Sequence, residues 1–464
     1  MSASPVVRFF ARAACRVFYR VDCVGAPPSS GPLLILPNHP NSLLDPAVIW
    51  ATSGRDVRFL AKSTLFASPL RPILAGAGAI PVYRKLDQGV DVSKNTETFA
   101  AVDAALAAGD AICIFPEGVS HSAGRLVPLR TGAARMALSA TRTGTRVALV
   151  PVGLNFERKT AFRSRVTVVY GPPLWCDDMV PPQRAPGITR VEDEEPQPEV
   201  VRALTDRIAR HMRRLLIEAD PTADAALVER VDRLYAAARG RAGDPADRVA
   251  RRRAIAGGIE RLRSKNPRRY EEILLRFRRY DQRLRRFGFR DRHLDWEVSP
   301  AEAARFGVRE VLIGMVLLPV AVASLVAFAV PYHLTGYGAR RFTQHSDVIA
   351  TAQVVGGFFI YAAWLALLAA AAWWLAGAGT ALALLAALLV LAVAGLFAIE
   401  RESAVLDAVR AWFLLRRTNV DTRERLRRRR SELADVVDEV NVWLGAEATQ
   451  RTDGTHPTTS SPQS

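Results

Sequence analysis

The chain has 464 residues, with 63 Lys and Arg against 46 Asp and Glu and a formal net charge of +17. That length buries at least one sizeable core and leaves room for two or three separate regions, while the positive balance suits an anionic partner such as a lipid surface, a phosphorylated small molecule or nucleic acid. Cys15, Cys23, Cys113 and Cys176 include no C-x2-C pair and have no matching His cluster, which argues against a zinc site and for reduced thiols.

Residues 1–24 read as an amphipathic N-terminal helix. VVRFFARAACRVFYRV sets Arg8, Arg12, Arg16 and Arg20 on one face and leaves Phe9, Phe10, Val17 and Phe18 away from them. The arginines break the apolar run that a cleavable signal peptide needs. The helix either lies in a bilayer interface or caps the next domain, and the long apolar segments downstream favour the interface.

Over residues 25–180, short apolar runs alternate with amphipathic or Ala-rich stretches. LLILP (33–37), VRFLA (57–61), AIPVY (79–83), AICIF (111–115), VALVPVGL (147–154) and RVTVVYG (165–171) read as strands, with helices between them. The alternation predicts an α/β domain with a mixed or parallel sheet flanked by helices, and its functional groups belong in loops at strand ends.

Residues 181–300 read as a linker and an Arg-rich helical region. VPPQRAPGITRVEDEEPQPE is proline-rich and acidic; beyond it RRYEEILLRFRRYDQRLRRF places Tyr270, Ile273, Leu274 and Phe277 on one helix face. That helical region either packs on the main domain or contacts a phospholipid surface. Residues 301–400 hold three apolar segments, Val311–Val330, Val348–Leu375 and Ala381–Ile399, each near the ~20 residues that cross a hydrocarbon core. The last two form a helical hairpin across the break at 376–380, whereas Pro319 and Pro331 are expected to interrupt or end the first. Arg-rich sequence flanks the set on both sides, which favours an even number of spans. Residues 401–448 read as a basic helical tail and 449–464 as a disordered one.

The chemistry concentrates in the α/β region. NHPNSLLDP sets His39 and Asp45 six positions apart. On a regular helix that spacing points the two side chains ~120° apart, so they can meet only if His39 lies in a loop. Pro40 favours the loop, Asn41 or Ser42 could cap a helix beginning near Leu43, and Asp45 in its first turn could accept the His39 ring N–H. The other ring nitrogen is then available as a general base. After the AICIF strand, FPEGVSHS delivers Glu117 and the backbone around Gly118, a place to hold a polyol or phosphate or else an ordinary strand-to-helix turn. Arg84 and Lys85 in GAIPVYRK, Arg130 in LVPLRTG and Lys62 in FLAKSTLF are cations at strand ends or helix starts of one domain, each read by itself as a surface charge before a ligand.

Taken in order, NHPNSLLD, GAIPVYRK, FPEG and VPVGLNF resemble the four motif blocks of the PlsC-like glycerolipid acyltransferases. The resemblance implies that His39 deprotonates a glycerol hydroxyl, that Asp45 orients it, and that the hydroxyl attacks an acyl thioester directly. It implies that Arg84, Glu117 and Gly118 bind the glycerol-phosphate part and that 150–156 shapes the acyl or glycerol site. Two departures matter: the first block is H-x5-D where the family's usual form is H-x4-D, and Val119 and Ser120 stand where Thr-Arg usually follows Glu-Gly. Both resemble the fungal-type branch that acts on glycerol 3-phosphate and dihydroxyacetone phosphate, which adds Ser120, His121 and Arg130 as substrate contacts.

No cofactor is implied beyond acyl-CoA or acyl carrier protein as acyl donor. The implied partners are a glycerol-phosphate acceptor and membrane lipids, with no nucleic acid. The implied protein is integral to the membrane with its site facing the cytosol. The alternatives are a lysophospholipid acceptor, a serine hydrolase built on Ser120, whose sequence fails G-x-S-x-G at Ser122, and a non-catalytic lipid-binding membrane protein.

Overall fold

The computed structural model describes residues 4–67, 71–84, 91–180, 196–219, 224–240, 243–295, 300–342, 349–417 and 420–453. Lys85 and much of the acidic proline-rich linker lie outside them. The chain divides into two units: the first holds residues 1–221 with 245–249 and 337–356, the second the remainder.

The first unit is built on a seven-stranded sheet. Its strands are β1 (Tyr19–Val24), β2 (Leu33–Pro37), β3 (Val57–Lys62), β4 (Ile80–Val82), β5 (Ala111–Cys113), β6 (Ala148–Phe156) and β7 (Ser164–Tyr170), in the order β1-β7-β6-β2-β5-β3-β4. Strands β2 to β6 are mutually parallel, β7 runs antiparallel to β6, and β1 pairs in parallel with β7. LLILP occupies the middle because it is apolar on both faces, as a strand covered by helices on each side must be. Leu33, Leu34, Ile35 and Leu36 are all 0% exposed, each contributing roughly 1.5–3 kcal/mol of burial.

Alternation along β2 divides the core. Leu33 and Ile35 pack with α1 (Pro5–Phe18) and α2 (Leu44–Thr52), while Leu34 and Leu36 pack with α4 (Asn95–Ala107), α5 (Gly132–Arg142) and α6 (Pro198–Arg213). A short α3 (Arg71–Gly76) lies between β3 and β4. The chain leaves β2 through α2 toward one face and leaves its neighbour β5 through α5 toward the other. Such a divergence opens a crevice at the carboxyl ends of the two strands, where open α/β sheets hold their ligands.

The six expected strands are present, and two boundaries differ. The N-terminal helix ends at Phe18, not at residue 24, because Tyr19–Val24 joins the sheet as β1. The first unit continues past residue 180: Val201, Leu204, Ile208 and Met212 of α6 are buried under β2, β5 and β6. Helix α1 is docked by its basic face. Arg12 Nε donates to the Trp50 carbonyl at 2.8 Å, Arg8 pairs with Asp56 at 2.9 Å, and Arg16 reaches the Ala51 carbonyl at 3.5 Å. Trp50 and Ala51 lie in the last turn of α2, whose carbonyls and negative dipole end attract cations. Val6, Phe9, Phe10 and Val17 therefore face outward, between 50% and 65% exposed.

In the second unit α7 (Ala225–Arg239), most of α8 (Pro245–Lys265) and α9 (Pro267–Arg286) carry the basic sequence. Many of its arginines are spent internally: Arg251 and Arg252 clasp buried Asp232 at 2.6 and 2.7 Å, and Arg230 bridges Asp281 and Asp291. On α9 the expected face is the inward one: Phe277 is buried, Tyr270, Ile273 and Leu274 are half-buried, and the stripe continues through buried Tyr280 and Leu284.

Among the described residues, three helices are long and apolar enough to cross a membrane: Leu317–Arg341 within α10 (Pro300–Phe342), α11 (Ile349–Ala376), and Ala378–Ala398 within α12 (Ala378–Arg417). Pro319 and Pro331 do not end α10; the helix runs through both, and the Ala327 carbonyl, which Pro331 cannot bond for want of an N–H, accepts the Trp364 indole N–H of α11 at 2.9 Å, a partner from a neighbouring helix of the kind that lets membrane helices carry proline. Small residues let these helices approach: a Cβ on Gly395 would lie 2.1 Å from Ser324 Oγ. Gly377, at φ +87°, makes the expected break between α11 and α12. Helix α13 (Val420–Asp453) runs past residue 449, where the tail was expected to begin; 454–464 lie outside the described residues.

Candidate active site

His39 stands two residues past β2, in the loop that Pro40 imposes. Its ring Nδ1 is 2.8 Å from Asp45 Oδ2, and Asp45 sits in the first turn of α2 with no exposed surface. The same Oδ2 accepts the Asn41 backbone N–H at 2.7 Å. The expected side-chain cap is absent: α2 is preceded by Leu43 without a capping side chain, and its first N–H groups are taken by the carbonyls of Asn41 and Ser42. Ser42 takes φ +51° to make this turn, a left-handed conformation that costs a non-glycine residue roughly 1–2 kcal/mol. Burial pushes the Asp45 carboxyl upward, opposed by the hydrogen bond and charge of His39.

The second half of the site hangs from β5. Phe115 stacks on the His39 ring at 4.0 Å and 19° between planes. Glu117, 1% exposed, ties three segments together: Oε1 accepts the His39 backbone N–H at 2.7 Å, Oε2 accepts the Val127 N–H at 3.1 Å and also bonds His121 Nε2. The His121 N–H in turn donates to the His39 carbonyl at 3.1 Å. Both backbone polar groups of His39 are thus bound to the β5 loop, and its ring is clamped between a carboxylate and a phenyl face. What remains is Nε2, the nitrogen a base needs.

Around this pair, the Arg84 guanidinium, two residues past β4, donates to the Gly118 carbonyl. A Cβ on Gly118, at φ +73°, would lie 3.1 Å from Arg130 Cγ, so Arg84 and Arg130 converge on one glycine. Lys62 ends β3, in register with Val82. On the other side of β2, Asn38 grips β6 through both its amide atoms, accepting the Leu154 N–H at 2.7 Å and donating to the Leu154 carbonyl at 3.2 Å. Gly153 leaves room for the chain after α6: a Cβ there would meet the Leu215 carbonyl oxygen at 2.4 Å. Asn155 fastens that crossing, and Glu218 then accepts the Leu126 N–H at 3.0 Å. VPVGLNF thus holds the rim of the site together through glycine and asparagine.

The family described as Acyltransferase matches residues 20–155. Glycerol-3-phosphate O-acyltransferase 2 of Saccharomyces cerevisiae is 42% identical over 85 residues, 18% of this chain and 11% of that one. Glycerol-3-phosphate O-acyltransferase 1 of the same yeast is 30% identical over 132 residues, 28% of this chain and 16% of that one. This chain therefore spans a small part of either yeast protein. The lyso-ornithine lipid O-acyltransferase of Brucella abortus is 30% identical over 211 residues, which are 43% of this chain and 75% of that enzyme. The chain belongs to the PlsC-like glycerolipid acyltransferase family.

Within this acyltransferase the sequence-derived residues fall into two groups. His39, Asp45, Glu117, Gly118, Ser120, His121, Arg84 and Arg130 are joined by direct contacts around the carboxyl ends of β2, β4 and β5, while Lys62 stands at the neighbouring end of β3. Their freedom differs from expectation. The Gly118 N–H is not free, since it donates to the Phe115 carbonyl at 3.0 Å. Ser120 Oγ accepts the Ser42 N–H at 3.0 Å, and His121 bonds Glu117 through Nε2 and Ala123 N–H through Nδ1. Ser120 and His121 are thus drawn to different partners, which removes the geometric basis for a Ser-His hydrolase. Tyr19, Asn38 and Glu218 were missed, and Asn41 was read only as a helix cap, because each reaches a side-chain or backbone partner more than a dozen residues away.

Proposed function

We propose that this acyltransferase moves a fatty acyl group from an acyl thioester to a hydroxyl of glycerol 3-phosphate, with His39 as general base. The carrying observation is the 2.8 Å contact between His39 Nδ1 and Asp45 Oδ2. With Nδ1–H donated to the carboxylate, Nε2 takes the proton of the acceptor hydroxyl as that oxygen attacks the thioester carbonyl. The tetrahedral intermediate collapses with cleavage of the C–S bond, and the imidazolium returns its proton to the leaving thiolate. Asp45 keeps the ring in one tautomer and stabilises it while charged. Arg84 and Arg130, converging at Gly118, supply cationic donors for the phosphate of the acceptor. Acyl-CoA or acyl carrier protein is the donor this chemistry requires, and the three apolar helices keep the enzyme at a membrane, where we place the site on the cytosolic side.

A second acceptor is favoured by one observation: the relative of which most is covered acts, by its name, on a lysolipid. A 1-acylated lysophospholipid or lyso-ornithine lipid would meet the same base. The purified full chain in detergent, given labelled acyl donor with glycerol 3-phosphate, dihydroxyacetone phosphate, 1-acylglycerol 3-phosphate and lyso-ornithine lipid, separates these readings. Glycerol 3-phosphate is expected to be acylated fastest, and exclusive use of a lysolipid would replace that acceptor without touching the mechanism. His39→Ala is expected to lower transfer by at least ~10²-fold; full activity in that variant would end the base assignment.

A further inference from the structure

Tyr19 stands at the start of β1 and is 1% exposed. Its ring packs edge-on against Phe18 and Phe156, with centroids 4.8 and 5.2 Å away. Its hydroxyl donates to the Lys159 carbonyl and accepts Asn41 Nδ2 at 2.7 Å. Burial holds the phenol neutral, so it keeps the proton for that carbonyl. Asn41 is 0% exposed and couples this anchor to the dyad, because its backbone N–H donates to the Asp45 oxygen that His39 uses.

The Asp45 carboxylate has little else to orient it. Its Oδ1 is buried without a hydrogen-bond partner, as is Asn41 Oδ1. The angle of the carboxylate is therefore set by two donors on Oδ2, the His39 ring and the Asn41 N–H. The Asn41 N–H is fixed in turn by a turn that runs through Ser42 at φ +51° and is braced at two points, Asn41 on Tyr19 and Ser42 on Ser120.

We infer that Tyr19 and Asn41 form a brace that positions the His39–Asp45 pair, carrying the orientation of the base from the edge strand β1 into the site. Neither residue touches the reacting atoms. The brace holds the carboxylate where the six-residue separation of His39 and Asp45 allows one linear contact, and without it the turn is free to relax and the imidazole loses its acceptor. The inference rests on His39 being the base.

A double-mutant cycle on the full chain in detergent tests it. Tyr19→Phe keeps the ring packing and removes only the hydroxyl; Asn41→Ala removes the amide it holds. Each is expected to lower kcat about tenfold, the scale of one positioning hydrogen bond, with the KM for acceptor and donor unchanged. Acting in series, the double variant is expected to be no slower than the worse single variant. Wild-type kcat in Tyr19→Phe, losses that appear in KM, or losses that multiply in the double variant would each overturn the brace, the last marking two independent structural defects. His39→Ala run in parallel separates the layers: if it retains wild-type transfer the base assignment fails, whereas an inactive His39→Ala beside an unimpaired Tyr19→Phe defeats the brace alone.

Discussion

Oε1 of Glu117 lies 2.7 Å from the backbone nitrogen of His39, joining residues 78 positions apart. The glutamate of FPEG is thus turned inward, its oxygens consumed by His39, Val127 and His121. Glu117→Gln puts an NH2 where one oxygen accepted, leaving a buried donor facing a donor at a cost of about 1–3 kcal/mol. The expected outcome is a lower thermal midpoint together with a roughly 10- to 100-fold lower kcat. A variant with wild-type melting and a raised acceptor KM alone would show instead that Glu117 touches substrate.

Gly118 predicts a different signature. Gly118→Ala puts a methyl 3.1 Å from Arg130 Cγ and forces a side chain onto φ +73°, which costs roughly 1–2 kcal/mol in backbone strain. Arg130 is displaced, so the KM for a phosphate-bearing acceptor is expected to rise about tenfold while the KM for the acyl donor stays within twofold. Steady-state kinetics with each substrate varied in turn reads the difference.

The pH dependence follows from Asp45. Burial raises its carboxyl above the ordinary 3.8 despite the opposing contact with His39. Between 3.8 and the folded value the native chain holds more protons at this site than the unfolded one, so its contribution is complete below that window and is lost as pH rises through the folded value. Asp45→Asn cannot titrate. Melting of both proteins from pH 4 to 8 is expected to show the variant gaining on wild type as pH rises, although its transfer rate is lower throughout; a constant gap would contradict the burial effect.

Three of the four thiols are sealed. Cys15, Cys113 and Cys176 are buried, and burial pushes Cys15 up to about 12 and the other two upward as well. Cys23 is the exposed one. Maleimide at neutral pH is expected to add one label to the native chain and four in denaturant, and transfer should survive the single modification because no thiol participates. Loss of activity in step with native labelling would contradict the base mechanism.

What was legible in the sequence was what local pattern encodes. LLILP announced a strand, and the proline after His39 announced a loop from which the ring could meet Asp45. Tyr19–Val24 was not legible as a strand, because it continues an Arg-spaced helix without a break and becomes a strand only by pairing with β7, more than 140 residues later. Nor was the role of Glu117: a glutamate that receives substrate and one that receives backbone N–H groups are written identically, and only the register of β2 beside β5 separates them. Proline inside α10 misled for a related reason, since the Ala327 carbonyl that Pro331 leaves without a donor is met by Trp364, 37 residues away.

The polarity of α1 bears on how this enzyme's rates must be expressed. Its arginines face the protein and Phe9 and Phe10 face away from it, while Ala350 and Val354, in the first turns of a helix long and apolar enough to cross a membrane, pack into the same core as Val7 and Ala11. Nitroxides at positions 9 and 10 of the full chain in nanodiscs are expected to be relaxed by oxygen and shielded from aqueous nickel, with the reverse at Glu97. Under the proposed transfer, with α1 seated in this way, a lipid product would pass sideways into one leaflet, and turnover is expected to follow the mole fraction of amphiphile in the bilayer, falling under surface dilution while the bulk concentration is held fixed.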